Sequence, residues 1–375
     1  PTIDARHGVG MVVGVRAFHA VLLALVLGAG CGEGSKSDPQ PFKAAKAKER
    51  SQPQPKVKEV EQKAPIIVQT FDPQDFDSNS SDHQIIQAAI RVELNKPEGV
   101  LNVADLGKVD KLDLFGEQIS DISPLAALTG LKKLVLHGNN IKSLAPLAGL
   151  ASLQVLDASE NLITDLSPLA GLNELVVLHL RNNRIVDLSP LTGLKLLESL
   201  DLERNQVSDL TPLAGLRNLN WLGLGNNQVS ELAPLANLTR LRHLYLERNG
   251  LDHATDLSSL ANLHAMQTLA LGKNQIVDLA PLSSMEALTW LDLDNNQVVD
   301  LAPLKNMKQL RKLYMNGNPV KVLSPLYSLA NLEQILGKDS PASLREVQAL
   351  RLKLPNCEVG IGNLKVIPSR RPRRK

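Results

Sequence analysis

Two acid pairs stand out for their spacing, Asp201 with Glu203 and Asp292 with Asp294. Side chains two apart in an extended segment project to the same side. Each pair would therefore bring two carboxyl groups together, the residue set of a glycosidase-like acid and base. That chemistry requires an enclosed site, dry enough to raise the pKa of one carboxyl. His137, His179 and His243 are a second candidate set, as metal ligands. Gly223-x-Gly225 is half of a dinucleotide-binding fingerprint. Trp221, Trp290, Tyr245 and Tyr314 account for both tryptophans and for two of the three tyrosines in the chain. Aromatic residues of this kind are the usual anchors of a binding surface. No Ser-His-Asp or Cys-His set stands out, and nothing near Cys357 predicts a reactive thiol.

What these residues do depends on the elements that carry them, and those elements repeat. One copy reads Leu175-x-x-Leu178-x-Leu180-x-x-Asn183-x-Ile185-x-x-Leu188-x-Pro190-Leu191-x-x-Leu194, and the next follows 22 residues later from Leu197. Copies start at Val109, Leu131, Leu153, Leu175, Leu197, Leu219, Leu241, Met266, Leu288 and Leu310. In Leu-x-Leu, alternation sends both leucines to one side of a short strand and the residue between them to the other. Stacked copies predict a parallel sheet over a continuous leucine core. The recurring asparagines, Asn139 through Asn318, predict chain turns closed by side-chain hydrogen bonds to buried backbone. Pro146, Pro168 and Pro190 mark the return path, where a missing N–H disrupts no ladder. Two copies depart from the pattern. The first has Glu117 in the asparagine position, and the seventh carries three extra residues within Asp252-His253-Ala254-Thr255-Asp256.

This pattern resembles the leucine-rich-repeat family, in the short class seen in the internalins, over most of residues 83–360. The resemblance implies an α/β solenoid: a horseshoe with a parallel β-sheet on the concave face, about ten repeats, and a cap at each end. The expected organisation is a leader at 1–31, a tether at 32–76, an N-terminal cap at 77–108, repeats at 109–331, a C-terminal cap at 332–367 and a basic tail at 368–375. The N-terminal cap reads as an amphipathic helix capped by Asp82, with Ile85, Ile86, Ala89, Ile90 and Leu94 along one stripe. The C-terminal cap reads as a helix through Leu344, Val347, Leu350, Leu352 and Leu354, with Cys357 as a small buried hydrophobe.

On this register the outward positions can be read off directly. The acid pairs fall on Leu-x-Leu strands and face out, as do Trp221, His243, Tyr245, Glu247, Trp290 and Tyr314. Trp221 and Trp290 stand three copies apart, about 14 Å at a strand spacing of ~4.8 Å. The strands of Gly223/Gly225 and Ala270/Gly272 should leave shallow space on either side of Tyr245. The expected site is thus an aromatic-walled trough ringed by Asp201, Glu203, Glu247, Asp292 and Asp294. An open sheet lacks the enclosure that acid catalysis needs. The three histidines stand on non-adjacent copies, too far apart to share one metal. No helix follows Gly223-x-Gly225, so no metal or cofactor is expected. Cross-strand packing alone is the competing account of the aromatics.

Composition supports recognition over catalysis. Aromatics make up only 3% of 375 residues, fewer than an irregular enzyme core normally uses. The net charge is +2, with eight basic against four acidic residues in 36–63 and five basic residues among the last six. The remainder is therefore net acidic, which argues against a nucleic-acid-binding core. With only Cys31 and Cys357, no disulfide framework is expected.

The ends carry their own signals. Met11 begins a secretory-type leader with Arg16 and an apolar run from Ala20. Leu27-Gly28-Ala29-Gly30-Cys31 resembles a bacterial lipobox, with its leucine one place further from cysteine than that family prefers. This implies acylation of Cys31 and attachment to the membrane. Ordinary cleavage after Gly28-Ala29-Gly30 is the alternative, and an uncleaved chain the third. Residues 32–65, rich in Pro, Gln and Lys, read as a tether with too little apolar surface to fold.

The reading is a non-catalytic lipoprotein of the bacterial envelope that binds a protein or peptide. Its rivals are a carbohydrate-binding surface protein and an intracellular scaffold of the phosphatase-regulator type.

Overall fold

A computed structural model describes residues 76, 79–253 and 255–362. Met11, the leader with Cys31, tether residues 32–75, Ala254 and the basic tail at 368–375 lie outside the described residues.

Each Leu-x-Leu segment contributes a strand of three residues, and two strands of four residues follow them. In order these are β1 (Lys111–Asp113), β2 (Lys133–Val135), β3 (Val155–Asp157), β4 (Val177–His179), β5 (Ser199–Asp201) and β6 (Trp221–Gly223). They continue with β7 (His243–Tyr245), β8 (Thr268–Ala270), β9 (Trp290–Asp292), β10 (Lys312–Tyr314), β11 (Gln334–Gly337) and β12 (Glu358–Ile361). Each strand pairs in parallel with the next, so a single open sheet follows chain order. Equivalent residues of successive copies are partners, as in Leu178 with Leu200 and Leu200 with Leu222. The fold is an α/β solenoid of the leucine-rich-repeat class.

The core sits behind the sheet. In the fourth copy Leu175, Leu178, Leu180, Ile185, Leu188, Leu191 and Leu194 are all buried. At ~1.5–3 kcal/mol for each buried aliphatic side chain, a single copy gains enough only because neighbours cover both of its faces. The return path is a short 3-10 turn, as at Ser167–Leu169 and Ser189–Gly193, with proline in the first turn, where its lost N–H is not needed. An aspartate closes the entry to these turns: Ser189 N–H donates to Asp187 Oδ1 and Thr211 N–H to Asp209 Oδ1, both at 2.8 Å.

The buried asparagines form a ladder between copies. Asn205 Nδ2 donates to the carbonyls of Leu180 (2.9 Å) and Leu202 (3.0 Å), and its Oδ1 accepts the Ile185 N–H (3.0 Å). The same bonds recur at Asn183, Asn227 and Asn296. The residue just before each asparagine turns the chain: Asn182, Arg204, Asn226 and Asn295 all have positive φ. The asparagine itself satisfies backbone groups that water cannot reach.

The ends differ in detail from the expectations. Helix α1 (Ser81–Glu93) is capped by Ser80, whose Oγ accepts the His83 N–H. Asp82 instead clamps the helix to the first copy, since its Oδ2 accepts from Ser120 N and Asp121 N, both at 2.8 Å. A short helix α2 (Val103–Leu106) leads into β1. At the other end the sheet runs two strands past the tenth copy. Leu332 and Ile335 are buried and Ser340 occupies the asparagine position, its Oγ donating to the Val320 carbonyl at 2.8 Å. This copy is hidden in the sequence because Gly337 replaces the second leucine and serine replaces asparagine. Helix α3 (Leu344–Lys353) then takes the place of the 3-10 turn and returns the chain to β12. Val347 and Leu350 are buried, but Leu344 and Leu352 point outward, at 54% and 82% exposed. Cys357 is buried, and burial pushes its thiol up to about 12.

Candidate ligand-binding face

The strand register delivers the predicted residues to one face, because every third, fifth and seventh position of a copy points away from the leucine core. Trp221 on β6 and Tyr245 on β7 lie with ring centroids 5.3 Å apart, tilted by 39°. Trp290 on β9 and Tyr314 on β10 meet edge to face at 5.7 Å and 86°. The four aromatics therefore form two pairs, with the small side chains of β8 between them. Tyr314 also donates its hydroxyl to Gln334 Oε1 at 2.9 Å. All four are half-buried, not fully exposed as alternation alone predicts. Aromatic rings on a sheet lie down and cover their neighbours.

The empty space predicted over the glycines is filled. A Cβ on Gly223 would stand 2.7 Å from Trp221 Cη2 and 2.8 Å from Asp201 Oδ1. One on Gly225 would meet Glu247 Cδ at 2.7 Å, and one on Gly272 would meet Asp292 Oδ2 at 2.9 Å. Trp221, Glu247 and Asp292 lie across the glycines, so the trough is a paved surface. The glycines act as sockets for side chains from their own and adjacent strands.

The acids divide into two groups. Asp201 is buried, its Oδ1 accepting the Glu203 N–H at 2.9 Å, and Glu203 is bonded to Arg181 in the neighbouring copy. Asp294 accepts the N–H of Asn316 at 2.7 Å and its Nδ2 at 2.8 Å. Asp292 gives one oxygen to the Asp294 N–H at 2.8 Å. Asp113 and Asp157 make the same bond to the residue two ahead, with no second acid beside them. The paired-acid spacing that suggested glycosidase chemistry is thus a turn-closing device of the repeat.

Glu247 differs from all of these. Its Oε2 is buried with no hydrogen-bond partner. Burial pushes the Glu247 carboxyl up to about 7, opposed first by the hydrogen bond from its own backbone N–H and then by Arg181, and helped by the negative charges of Glu203 and Asp292. Burial likewise raises Asp292 to about 6, with Asp294 adding to the shift. Tyr245 rises to about 12, through burial and then the Glu247 charge, and stays a hydroxyl donor. His243 is lowered by burial and by Arg242, so it is neutral near pH 7.

Two further clusters escaped the sequence reading. Phe115 stacks on His137 at 5.0 Å on the first strands of the same face. In the N-terminal cap His83 Nε2 contacts both Asp121 Oδ2 (3.0 Å) and Ser123 Oγ (3.1 Å). A relay through imidazole uses both ring nitrogens, and here a single nitrogen meets both groups, so the contact ties the cap helix to the first copy. Among the described residues no group of three His, Cys, Asp or Glu is placed to hold a metal. In the seventh copy Asp252 and Thr255 bond to each other, and Asp256 caps the following turn by accepting the Ser258 N–H at 2.8 Å. No helix among the described residues is long and apolar enough to cross a membrane.

Comparison with known proteins agrees with this architecture. The profile described as leucine-rich repeats in two copies matches residues 129–171, 173–215 and 286–328, and a second leucine-rich-repeat profile matches 239–298. No curated protein sequence matches the chain. An internalin (inlF) from Listeria monocytogenes is 29% identical over 78% of this chain and 94% of its own, with a TM-score of 0.66. Internalin C2 from the same organism is 31% identical over 66% of this chain and 97% of its own, with a TM-score of 0.50. The leucine-rich-repeat ectodomain of the Arabidopsis receptor kinase HAESA was solved in complex with an IDA peptide hormone ligand lengthened at its N-terminus. It is 25% identical over 60% of this chain and 42% of its own, with a TM-score of 0.52. The in-register leucine strands and asparagine ladder, with nearly the whole of an internalin aligned on them, place this chain in the leucine-rich-repeat family, in its internalin-like bacterial class.

Proposed function

We propose that the chain is a non-catalytic recognition protein that binds a protein or peptide on the concave face of the sheet, across β5 to β10. The single observation that carries this reading is Glu247. A buried carboxyl oxygen without a partner lowers stability, and here it lies beside the Trp221–Tyr245 pair of an otherwise aromatic-poor chain. Local conflicts of this kind concentrate where a ligand completes the site. Peptide capture by the HAESA ectodomain offers a precedent on the same architecture. We further infer that the protein is exported and held in the bacterial envelope by a lipid on Cys31, a reading that rests on the lipobox-like Leu27 to Cys31 segment.

The test is capture from envelope and culture extracts on wild type and on the folded Trp221→Ala, Tyr245→Ala, Trp290→Ala triple variant. A partner held by wild type and lost by the variant supports the face. Equal retention moves the contact elsewhere and sinks the reading. Salt sensitivity of capture separates a basic protein partner from a sugar, whose stacking on the aromatics is nearly indifferent to salt. Labelling with a radioactive fatty acid, absent in Cys31→Ser, tests the anchor.

A further inference from the structure

The charge and spacing on this face specify more than a generic peptide. The outward positions on β5 to β10 hold five acids and one base, Lys312. The two aromatic pairs begin at Trp221 and Trp290, three strand spacings apart, or about 14 Å. Each pair has a carboxyl beside it: Glu247, two residues past Tyr245, with a buried oxygen lacking a partner, and Asp292, on the strand of Trp290, laid over Gly272. Glu247 lies over Gly225, so no Cβ beneath holds it in place.

An extended peptide crossing the strands advances ~3.3 Å per residue and alternates its side chains. Four residues cover about 13 Å and return to the same side. Three or five residues cover about 10 or 17 Å and present the opposite side. A basic side chain can stack on an aromatic ring while its charge meets a carboxylate.

Resting on the peptide-recognition reading above, we propose that this face binds an extended peptide with basic residues at i and i+4. One is received by Trp221, Tyr245 and Glu247, and the other by Trp290, Tyr314 and Asp292. The pairs set the spacing, and the acids set the sign of the charge.

The probes are acetylated, amidated twelve-residue Gly/Ser peptides carrying Arg at positions 4 and 8, at 4 and 7, or at 4 and 9, with Glu at 4 and 8 as control. Each is titrated calorimetrically into the full chain, with tryptophan emission followed in parallel. The 4/8 peptide is expected to bind at least tenfold tighter than the 4/7 and 4/9 peptides. Glu247→Gln and 0.5 M NaCl should each weaken it about tenfold, and the Glu peptide should not bind. Equal binding of the 4/7 and 4/8 peptides, equal binding of the Glu peptide, indifference to Glu247→Gln, or no binding of any Arg peptide overturns the proposal. If no Arg peptide binds while an extract partner is still lost with the triple aromatic variant, this inference fails and the recognition reading stands. If the extract partner is retained as well, both fail.

Discussion

Replacing Glu247 with glutamine should stabilise the protein, and only above mildly acidic pH. In the unfolded chain this carboxyl titrates near its ordinary 4.5, and in the fold near 7. Below pH 4.5 it is protonated in both states and imposes no penalty. As the pH rises from 4.5 to 7 the unfolded chain ionises first, and stability is lost until the folded carboxyl ionises too. A difference of about 2.5 pKa units corresponds to ~3 kcal/mol at 1.36 kcal/mol per unit. Burial is the first cause of the shift, the Glu203 and Asp292 charges add to it, and the amide removes all three effects. With an unfolding entropy of ~2 cal/mol/K per residue over roughly 280 residues, the gain amounts to a Tm increase of about 5 °C at pH 8. The measurement is guanidinium unfolding followed by tryptophan emission at pH 4, 6 and 8. Glu174→Gln, an exposed acid, serves as the control that should not move. Curves for Glu247→Gln and wild type should coincide at pH 4 and separate progressively by pH 8. A variant equal to or less stable than wild type at pH 8 would refute the account of an uncompensated buried carboxylate.

Other positions give independent tests. Asn205→Ala leaves the Ile185 N–H without a partner, while the Leu180 and Leu202 carbonyls keep Asn183 Nδ2 and Asn227 Nδ2, and at ~1–3 kcal/mol per orphaned buried group should destabilise by about 1–3 kcal/mol. Chemical unfolding checks this, together with faster hydrogen exchange at Ile185. Gly130→Ala places a Cβ 2.3 Å from the Gly107 carbonyl oxygen, a backbone atom that cannot swing aside, and should cost about 1–3 kcal/mol in thermal unfolding. At Gly223 the clash is with the tip of Trp221 and with the Asp201 carboxylate, both on side chains. Gly223→Ala should therefore displace the indole at a cost below ~1.5 kcal/mol and change tryptophan emission. Leu200→Ala empties a fully buried core site and should cost about 3–5 kcal/mol in the same assay.

Much of this protein is written in its local pattern. A period of 22 residues places each Leu-x-Leu in the same environment, so the strands, their parallel register and the outward direction of Trp221, Tyr245, Trp290 and Tyr314 all follow from alternation. Each asparagine could be assigned to the ladder because its partners sit at fixed offsets in neighbouring copies. The last two strands were not legible: Gly337 and Ser340 break the motif, and β11 and β12 exist because a leucine edge was there to pair with. The cap residue likewise depended on packing, since Asp82 is drawn to the backbone of Ser120 and Asp121 and leaves the cap to Ser80. The state of the proposed binding face was decided by tertiary structure alone. The sequence lists glycines beside large polar and aromatic residues, but not which side chain settles into which socket. Only the packed sheet brings Glu247 over Gly225 and Asp292 over Gly272. Charge in a protein responds to surroundings assembled from several strands, so it takes the fold to raise the carboxyls of Glu247 to about 7 and of Asp292 to about 6.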